Sequence, residues 1–435
     1  MQVSVETTQG LERRMTVTVP AERIEKEVEN RLKNLSRTVR LSGFRPGKVP
    51  VKVVASRFGN QVRSEVINDV TQRSFQEAVS QENLRLASMP RIESRTNQPG
   101  NDLEYVATFE VVSEVTLPDF ADLEIEKPVA AIEDADVDQM IETLRKQRAT
   151  WSPVERPAQT GDQVTIDFHG TINGSDFEGN KGSDVPLVLG SGSFISGFEE
   201  KLVGVGAGKE VDIDLQFPED YRVKDLAGKP VVFKVNVHKV AEATLPEVNE
   251  DFMRAFEVSD GQLETFKKEI RESMQSELDT ALQDKLKQNV FDVLFQQGKT
   301  DLPAALVNST IEDMIARARA TFTAQGGNAD DLNLEPGLFE ESARRKVALG
   351  LIIADIARKQ NITVDYEKVR HKVEALAADY AQPEAVIQAL YADRSRMEGI
   401  ESMVLEDMVI DWIVDKARMT DKATSFEELM HSRRV

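Results

Sequence analysis

The sequence predicts a multidomain α+β protein with three regimes in series. A small α+β N-terminal domain carries a helical hairpin with a loop at its tip. An antiparallel β half-barrel with one short helix follows, and then an all-α C-terminal domain. Three observations predict this. Residues 1–112 mix alternating apolar stretches with helical ones, 150–245 are rich in glycine and short strands, and 246–435 hold apolar residues three or four apart almost throughout. At 435 residues the chain has room for two to four domains of roughly 100–200 residues.

In the first regime Val3, Val5 and Thr7, then Met15, Val17 and Val19, alternate with polar residues and read as strands. Pro20 suits the first turn of a helix, along which Ile24, Val28, Leu32, Leu35 and Val39 are spaced. A second helix runs from Val51 through Val54, Phe58, Val62, Val66 and Val70 toward Val79, and 103–112 returns to strand. Between the helices, residues 41–50 hold two glycines and two prolines, which stop either helix from continuing. Segment 113–149 is a linker whose helix over 134–148 sets Val137, Ile141 and Leu144 on one face, expected to pack with the C-terminal domain.

The second regime reads as strands over 164–168, 185–189, 211–217 and 231–240, with turns at 190–197 and 204–208 and a short helix within 196–203. In the third, Leu263, Phe266, Ile270, Met274, Leu278, Leu282, Leu286, Val290 and Leu294 mark one long amphipathic helix. Breaks follow at Gly298, Pro303 and 326–328, with further helices near 338–359, 365–380, 383–391 and 396–418. The long stripe stays mostly at spacing four, which is not a coiled-coil repeat.

Composition excludes several classes. There is no cysteine, hence no disulfide framework, thiolate nucleophile or zinc–thiolate site. The N-terminus lacks the basic and apolar regions of a signal peptide, and no apolar run approaches the ~18–20 residues that cross a bilayer. The expectation is a cytoplasmic protein with no membrane partner. A net charge of −21 argues against a general nucleic-acid binder. Yet residues 1–112 hold 17 Lys and Arg against 14 Asp and Glu, a net of +3, leaving −24 for the remainder. Nine basic residues and no acidic one lie between Arg31 and Ser64: Arg31, Lys33, Arg37, Arg40, Arg45, Lys48, Lys52, Arg57 and Arg63. One end of an acidic protein is built to meet something anionic.

The four histidines, at 169, 238, 371 and 431, form no metal-ligand spacing, and neither a P-loop nor a GxSxG motif is present. No metal and no cofactor are expected. The middle regime offers sharper motifs. Residues 164–170 lead to Phe177-Glu178-Gly179, then Leu187-Val188-Leu189-Gly190, Phe194 to Glu200, Phe217 to Tyr221 and Val232 to Val235. Their order and spacing resemble the FKBP family of peptidyl-prolyl isomerases over about eighty residues. The resemblance implies a pocket lined by Phe168, Phe177, Leu187, Phe194, Ile195, Phe198 and Phe233, with Glu178 contacting bound peptide and Tyr221 at the rim. Phe168 stands where many members have Tyr, Phe198 where many have Trp, and Ser196 where the family turn has Pro. The chemistry fits such residues. Twisting an X–Pro bond breaks amide resonance, a barrier of about 18–20 kcal/mol, and a dry aromatic pocket lowers it without proton transfer. The same phenylalanines would also serve as the core of a small β domain.

The loop Gly43-Phe44-Arg45-Pro46-Gly47-Lys48-Val49-Pro50 resembles the ribosome-docking motif G-F-R-x-G-K-x-P of the bacterial trigger factor family. With the FKBP-like segment and the helical C-terminus, that resemblance spans the chain. It implies docking through Gly43, Phe44, Arg45, Gly47, Lys48 and Pro50 to ribosomal protein and rRNA of the large subunit near the exit tunnel. It also implies binding of nascent and unfolded polypeptides, C-terminal helices shaped as arms, and a homodimer when off the ribosome. Arg45 can fork onto phosphate or carboxylate, and the flanking cations attract rRNA at long range. Methionines 253, 274, 314, 397, 403 and 408 suit either adaptable client surfaces or ordinary helix packing. Two other readings stand at this level. One is an isomerase whose remaining regions only dimerise, the other a ribosome-assembly factor with an inactive isomerase fold.

Overall fold

The computed structural model describes residues 1–435 except 43, 46, 97, 99, 118, 178, 220, 222, 224, 225, 326, 328–331, 333, 379 and 435. In chain order the elements begin with β1 (Gln2–Thr7), β2 (Glu12–Val19), α1 (Ala21–Thr38), α2 (Val51–Gln81), β3 (Arg91–Thr96), β4 (Leu103–Glu110), β5 (Glu124–Val129) and α3 (Asp134–Gln147). Then come β6 (Thr150–Pro153), β7 (Gln163–Thr171), β8 (Lys181–Val188), α4 (Phe198–Leu202), β9 (Lys209–Gln216), β10 (Pro230–Thr244) and α5 (Glu250–Arg254). The rest is α6 (Leu263–Gln297), α7 (Ala304–Ala324), α8 (Glu340–Lys359), α9 (Tyr366–Ala377), α10 (Pro383–Ala392), α11 (Arg394–Lys416), β11 (Arg418–Ala423) and α12 (Phe426–Arg434). The chain thus has the expected multidomain α+β architecture. No helix among the described residues is long and apolar enough to cross a membrane.

By internal contacts the chain divides into two units, Met1–Pro128 with Asp284–Lys422, and Val129–Gln283 with Ala423–Val435. In the first, an antiparallel sheet of order β1-β2-β4-β3 carries the α1–α2 hairpin. The inward residues of β2, Met15, Val17 and Val19, meet Ile24 and Leu32 of α1 and Val54 to Phe75 of α2 in one core. Tyr105 of β4 is fully buried and its hydroxyl pairs with Ser74 of α2 at 2.9 Å, so the helix is pinned to the sheet by a satisfied polar contact. Asp102 accepts from the free N–H of Ala21 at the start of α1 at 2.8 Å, which a proline N-cap cannot do with its own side chain. The helical part of this unit has its own cores, where Val290 and Leu294 of α6 meet α8 and α11, α7 meets α8, and α9 meets α11.

In the second unit, β10 is the spine of a five-stranded antiparallel sheet. One edge of β10 pairs along β7. The other pairs with β9 over 230–237 and with β6 over 241–244. The sheet curls around Phe198 and Leu202, one turn apart on α4 and both fully buried. A separate core joins Val137 and Ile141 of α3 to α5, the 263–282 part of α6 and α12. Met253 and Met274 are buried there, so these two are core side chains, whereas Met403 is exposed.

Several elements differ from the sequence expectation, among them the unforeseen β3, β6, α5 and α12. The last long helix ends at Lys416, because Ala417 turns extended and 418–423 pairs with β5 as a two-stranded ribbon. β5 and β11 are short and largely polar, so neither shows strand alternation. The strand expected over 211–217 closes at Gln216, and Phe217 begins the loop that follows.

Candidate active site and docking loop

The half-barrel opens on one face into a cavity of about 490 Å³ lined by Phe168, Phe177, Gly179, Ser193, Phe194, Ile195, Ser196, Phe217, Pro218, Tyr221 and Phe233. Two aromatic groups build its walls. Phe168 meets Phe194 edge to face at 5.4 Å and Phe233 at 6.2 Å. On the other side Phe177 meets Phe217 at 5.8 Å, and Phe217 meets Tyr221 at 4.7 Å. Gly170 of β7 lies opposite Phe233 of β10. A Cβ there would sit 2.6 Å from the Phe233 ring and 3.1 Å from Phe177, so only glycine lets rings from both walls approach across the strand.

Of the residues expected in the pocket, Phe168, Phe177, Phe194, Ile195, Phe233 and Tyr221 line this cavity. Phe198 and Leu187 do not. Phe198 is fully buried behind the wall, stacked on Phe194 at 4.5 Å and edge-on to Phe233 at 5.3 Å. Leu187 is in the core of the domain because its position on β8 points inward. Glu178 lies outside the described residues. Phe217, Pro218, Ser193 and Ser196 were not singled out from the sequence as lining residues. Phe217 and Pro218 belong to the Phe217–Tyr221 motif, and the sequence pattern puts Phe217 at the end of a strand.

Among the described residues, no histidine and no ion pair lines the cavity. The polar groups of β7 face the opposite side of the strand. His169 Nε2 and Lys181 Nζ each lie 2.7 Å from Asp176, and they hold its carboxyl down at about 2. Asp167 accepts the Asp184 N–H and pairs with His238 Nε2, both at 2.8 Å, which keep its carboxyl below the usual range. Asp167, Asp184 and His238 thereby come within 4.8 Å of one another, a grouping invisible in linear spacing. Asp167 is the hub, bonded to the Asp184 backbone N–H and to the His238 ring. The cavity offers mainly apolar surface, with Ser193, Ser196 and Tyr221 as its hydroxyl-bearing lining residues. It can desolvate an amide and grip a proline ring, and it holds no described group placed for acid–base or covalent chemistry.

In the loop at the hairpin tip, α1 ends at Thr38 and α2 starts after Pro50. Val49 is buried and anchors the loop in the core, and two turns close it, Phe44 N–H to Leu41 O at 3.1 Å and Lys48 N–H to Arg45 O at 3.0 Å. Phe44, Arg45, Gly47, Lys48 and Pro50 are exposed, with Phe44 showing 39% of its surface. Gly43 and Pro46 lie outside the described residues. Of the nine cations in the acid-free stretch, Arg31, Lys33 and Arg63 pair with Asp69, Glu29 and Glu25. Arg37, Arg40, Arg45, Lys48, Lys52 and Arg57 are exposed and make no ion pair among the described residues. The unneutralised charge is concentrated at the tip.

Residues 1–144 match the family model for bacterial trigger factor protein, 262–415 that for the trigger factor C-terminus, and 154–238 that for FKBP-type peptidyl-prolyl cis-trans isomerase. A trigger factor of Thioalkalivibrio sulfidiphilus is 45% identical over 434 residues, covering 100% of this chain and 99% of its own. The chain belongs to the trigger factor family. A Pseudoalteromonas atlantica trigger factor is 44% identical, covering 99% of each chain. A solved structure from work on promiscuous substrate recognition by the trigger factor chaperone covers 96% of this chain and 100% of that one, at 19% identity and a TM-score of 0.47. The family assignment rests on the sequence relatives. This trigger factor is therefore a chaperone with an FKBP-type peptidyl-prolyl isomerase domain.

Proposed function

We propose that this trigger factor docks on the large ribosomal subunit near the polypeptide exit, with Phe44, Arg45 and Lys48 as the contacting side chains and Gly43, Gly47 and Pro50 shaping the loop. It receives nascent and unfolded chains in the cytoplasm and isomerises their X–Pro bonds in the aromatic cavity. Residues 1–112 dock, 113–149 link, 150–245 isomerise and 246–435 hold clients. Off the ribosome the protein pairs with a second copy.

One observation carries the docking reading. Six exposed cations that make no ion pair among the described residues lie in or beside a loop that also exposes Phe44. A tip that only needed solubility would not gather unpaired like charges about an aromatic ring, whereas rRNA phosphates beside an apolar notch on a ribosomal protein satisfy both. For the isomerase site, the supporting observation is a cavity walled by aromatic rings on both sides, with no His, Lys, Arg, Asp or Glu lining it among the described residues. For clients, Tyr366, Leu376, Tyr380, Tyr391 and Met403 of the helical region remain exposed, as a surface for varied apolar segments requires. Ribosome binding measured at rising salt tests the docking reading. The affinity falls steeply between ~50 and ~200 mM salt if the tip cations meet phosphate, and a salt-independent affinity would contradict it.

A further inference from the structure

Glu199 is an acid in the first turn of α4, beside the exposed Glu200, yet only 7% of it is exposed. A carboxylate buried without partners is costly. This one faces the loop 190–194, which curls around it so that backbone N–H groups converge. Oε2 accepts from Gly190 at 2.7 Å and Gly192 at 3.1 Å, and Oε1 accepts from Ser193 at 2.8 Å and Phe194 at 3.3 Å. The Ser191 hydroxyl adds a fifth donor to Oε1 at 3.2 Å. Gly190 and Gly192 take positive φ, at 93° and 70°, which turns the donors inward. Burial alone would raise this acid, but the N–H groups of Gly192, Gly190 and Phe194 and the Ser191 hydroxyl hold it below its usual value.

The loop so held ends in Phe194 and Ile195, two walls of the cavity. Phe194 is set from both ends, since its N–H goes to Glu199 and its ring stacks on Phe198, the residue before Glu199. We propose that Glu199 is a positioning residue of the isomerase. Its carboxylate locks the 190–194 loop and so fixes Phe194 against the twisted amide. This rests on the aromatic cavity being the isomerase site. Four backbone donors meet two oxygens, two on each, and only a carboxylate offers both as acceptors. A glutamine would turn an NH₂ toward one pair of N–H groups, losing two bonds and opposing donor to donor.

The test measures kcat/KM on a short proline-containing peptide for the full-length chain, Glu199→Gln, Phe194→Ala, the double variant and Glu200→Gln. Glu199→Gln is expected to lose about tenfold or more, with far-UV circular dichroism unchanged, while Glu200→Gln keeps the wild-type rate. Because Glu199 acts through Phe194, the double variant falls no more than about twofold below the weaker single variant. Multiplying effects, or a wild-type rate for Glu199→Gln beside an impaired Phe194→Ala, would overturn the proposal and leave the pocket assignment standing. A wild-type rate for Phe194→Ala would remove the pocket assignment and this proposal with it. Should Glu199→Gln not fold, residue-resolved amide exchange on the unaltered chain decides. The N–H groups of Gly190, Gly192, Ser193 and Phe194 exchange about a hundredfold or more slower than in an unstructured peptide if the clamp exists, and at peptide rates if it does not.

Discussion

Phe198 never reaches the cavity, yet its replacement is expected to damage both the stability of the isomerase domain and its rate. The ring is fully buried, stacks on Phe194 at 4.5 Å and meets Phe233 at 5.3 Å and Phe168 at 6.4 Å. Phe198→Ala removes a core ring and leaves a void, worth about 3–5 kcal/mol, out of a stability of ~5–15 kcal/mol for an ordinary domain. Phe198→Leu retains most of the volume and forfeits mainly the ring geometry, about 1–2 kcal/mol. Trp151 lies in β6 of this domain and Trp412 in α11. In a Trp412→Phe background, urea unfolding followed by fluorescence therefore reports on Trp151 alone. Both substitutions loosen three cavity rings, so peptide isomerisation slows in the same order, alanine more than leucine. A Phe198→Ala loss below ~1 kcal/mol would refute the packing argument. A full loss of stability with an unchanged rate in the folded fraction would refute the claim that this ring sets the walls.

Two further predictions concern charge. The Asp176 carboxyl is depressed to about 2 by Lys181 and His169. Its stabilising pairing is present above the ordinary carboxylate pKa and is lost as pH falls toward 2. Carboxyl-carbon NMR should place that titration, and Lys181→Met should move it back up. Asp355 of α8 is wholly buried and faces Arg85 at 3.6 Å, Arg358, and Lys359 at 2.8 Å without hydrogen-bond alignment. Burial would raise it, but Lys359 and Arg358 hold it low. Breaking a buried pair costs roughly 3–5 kcal/mol. Since these cations reach solvent, Asp355→Asn is expected to cost about 1–3 kcal/mol in chemical denaturation at neutral pH. The difference from wild type should vanish as pH falls through the depressed value.

Much of the fold was legible because its signals are local. The stripe from Leu263 to Leu294 gives α6, and two glycines and two prolines between apolar helices give the hairpin tip. β5 and β11 were not legible, since six polar-rich residues become a strand only when a partner almost three hundred positions away supplies the ladder. The same holds for the grouping of 1–128 with 284–422. At the candidate site the phenylalanines stood out in order, but sequence does not say which side of the wall a ring occupies. Phe198 turned inward with Leu202 because both share one face of a single turn. Glu199 reads as one of two solvated acids, and only the curl of the 190–194 backbone distinguishes it from Glu200.

The most direct test of the central claim is ribosome co-sedimentation of the full-length chain beside Phe44→Ala/Arg45→Ala. Both side chains are exposed and outside the core, so the double variant should fold as wild type and remain in the supernatant when ribosomes are pelleted. If it pellets with ribosomes as the wild type does, this loop is not the docking site.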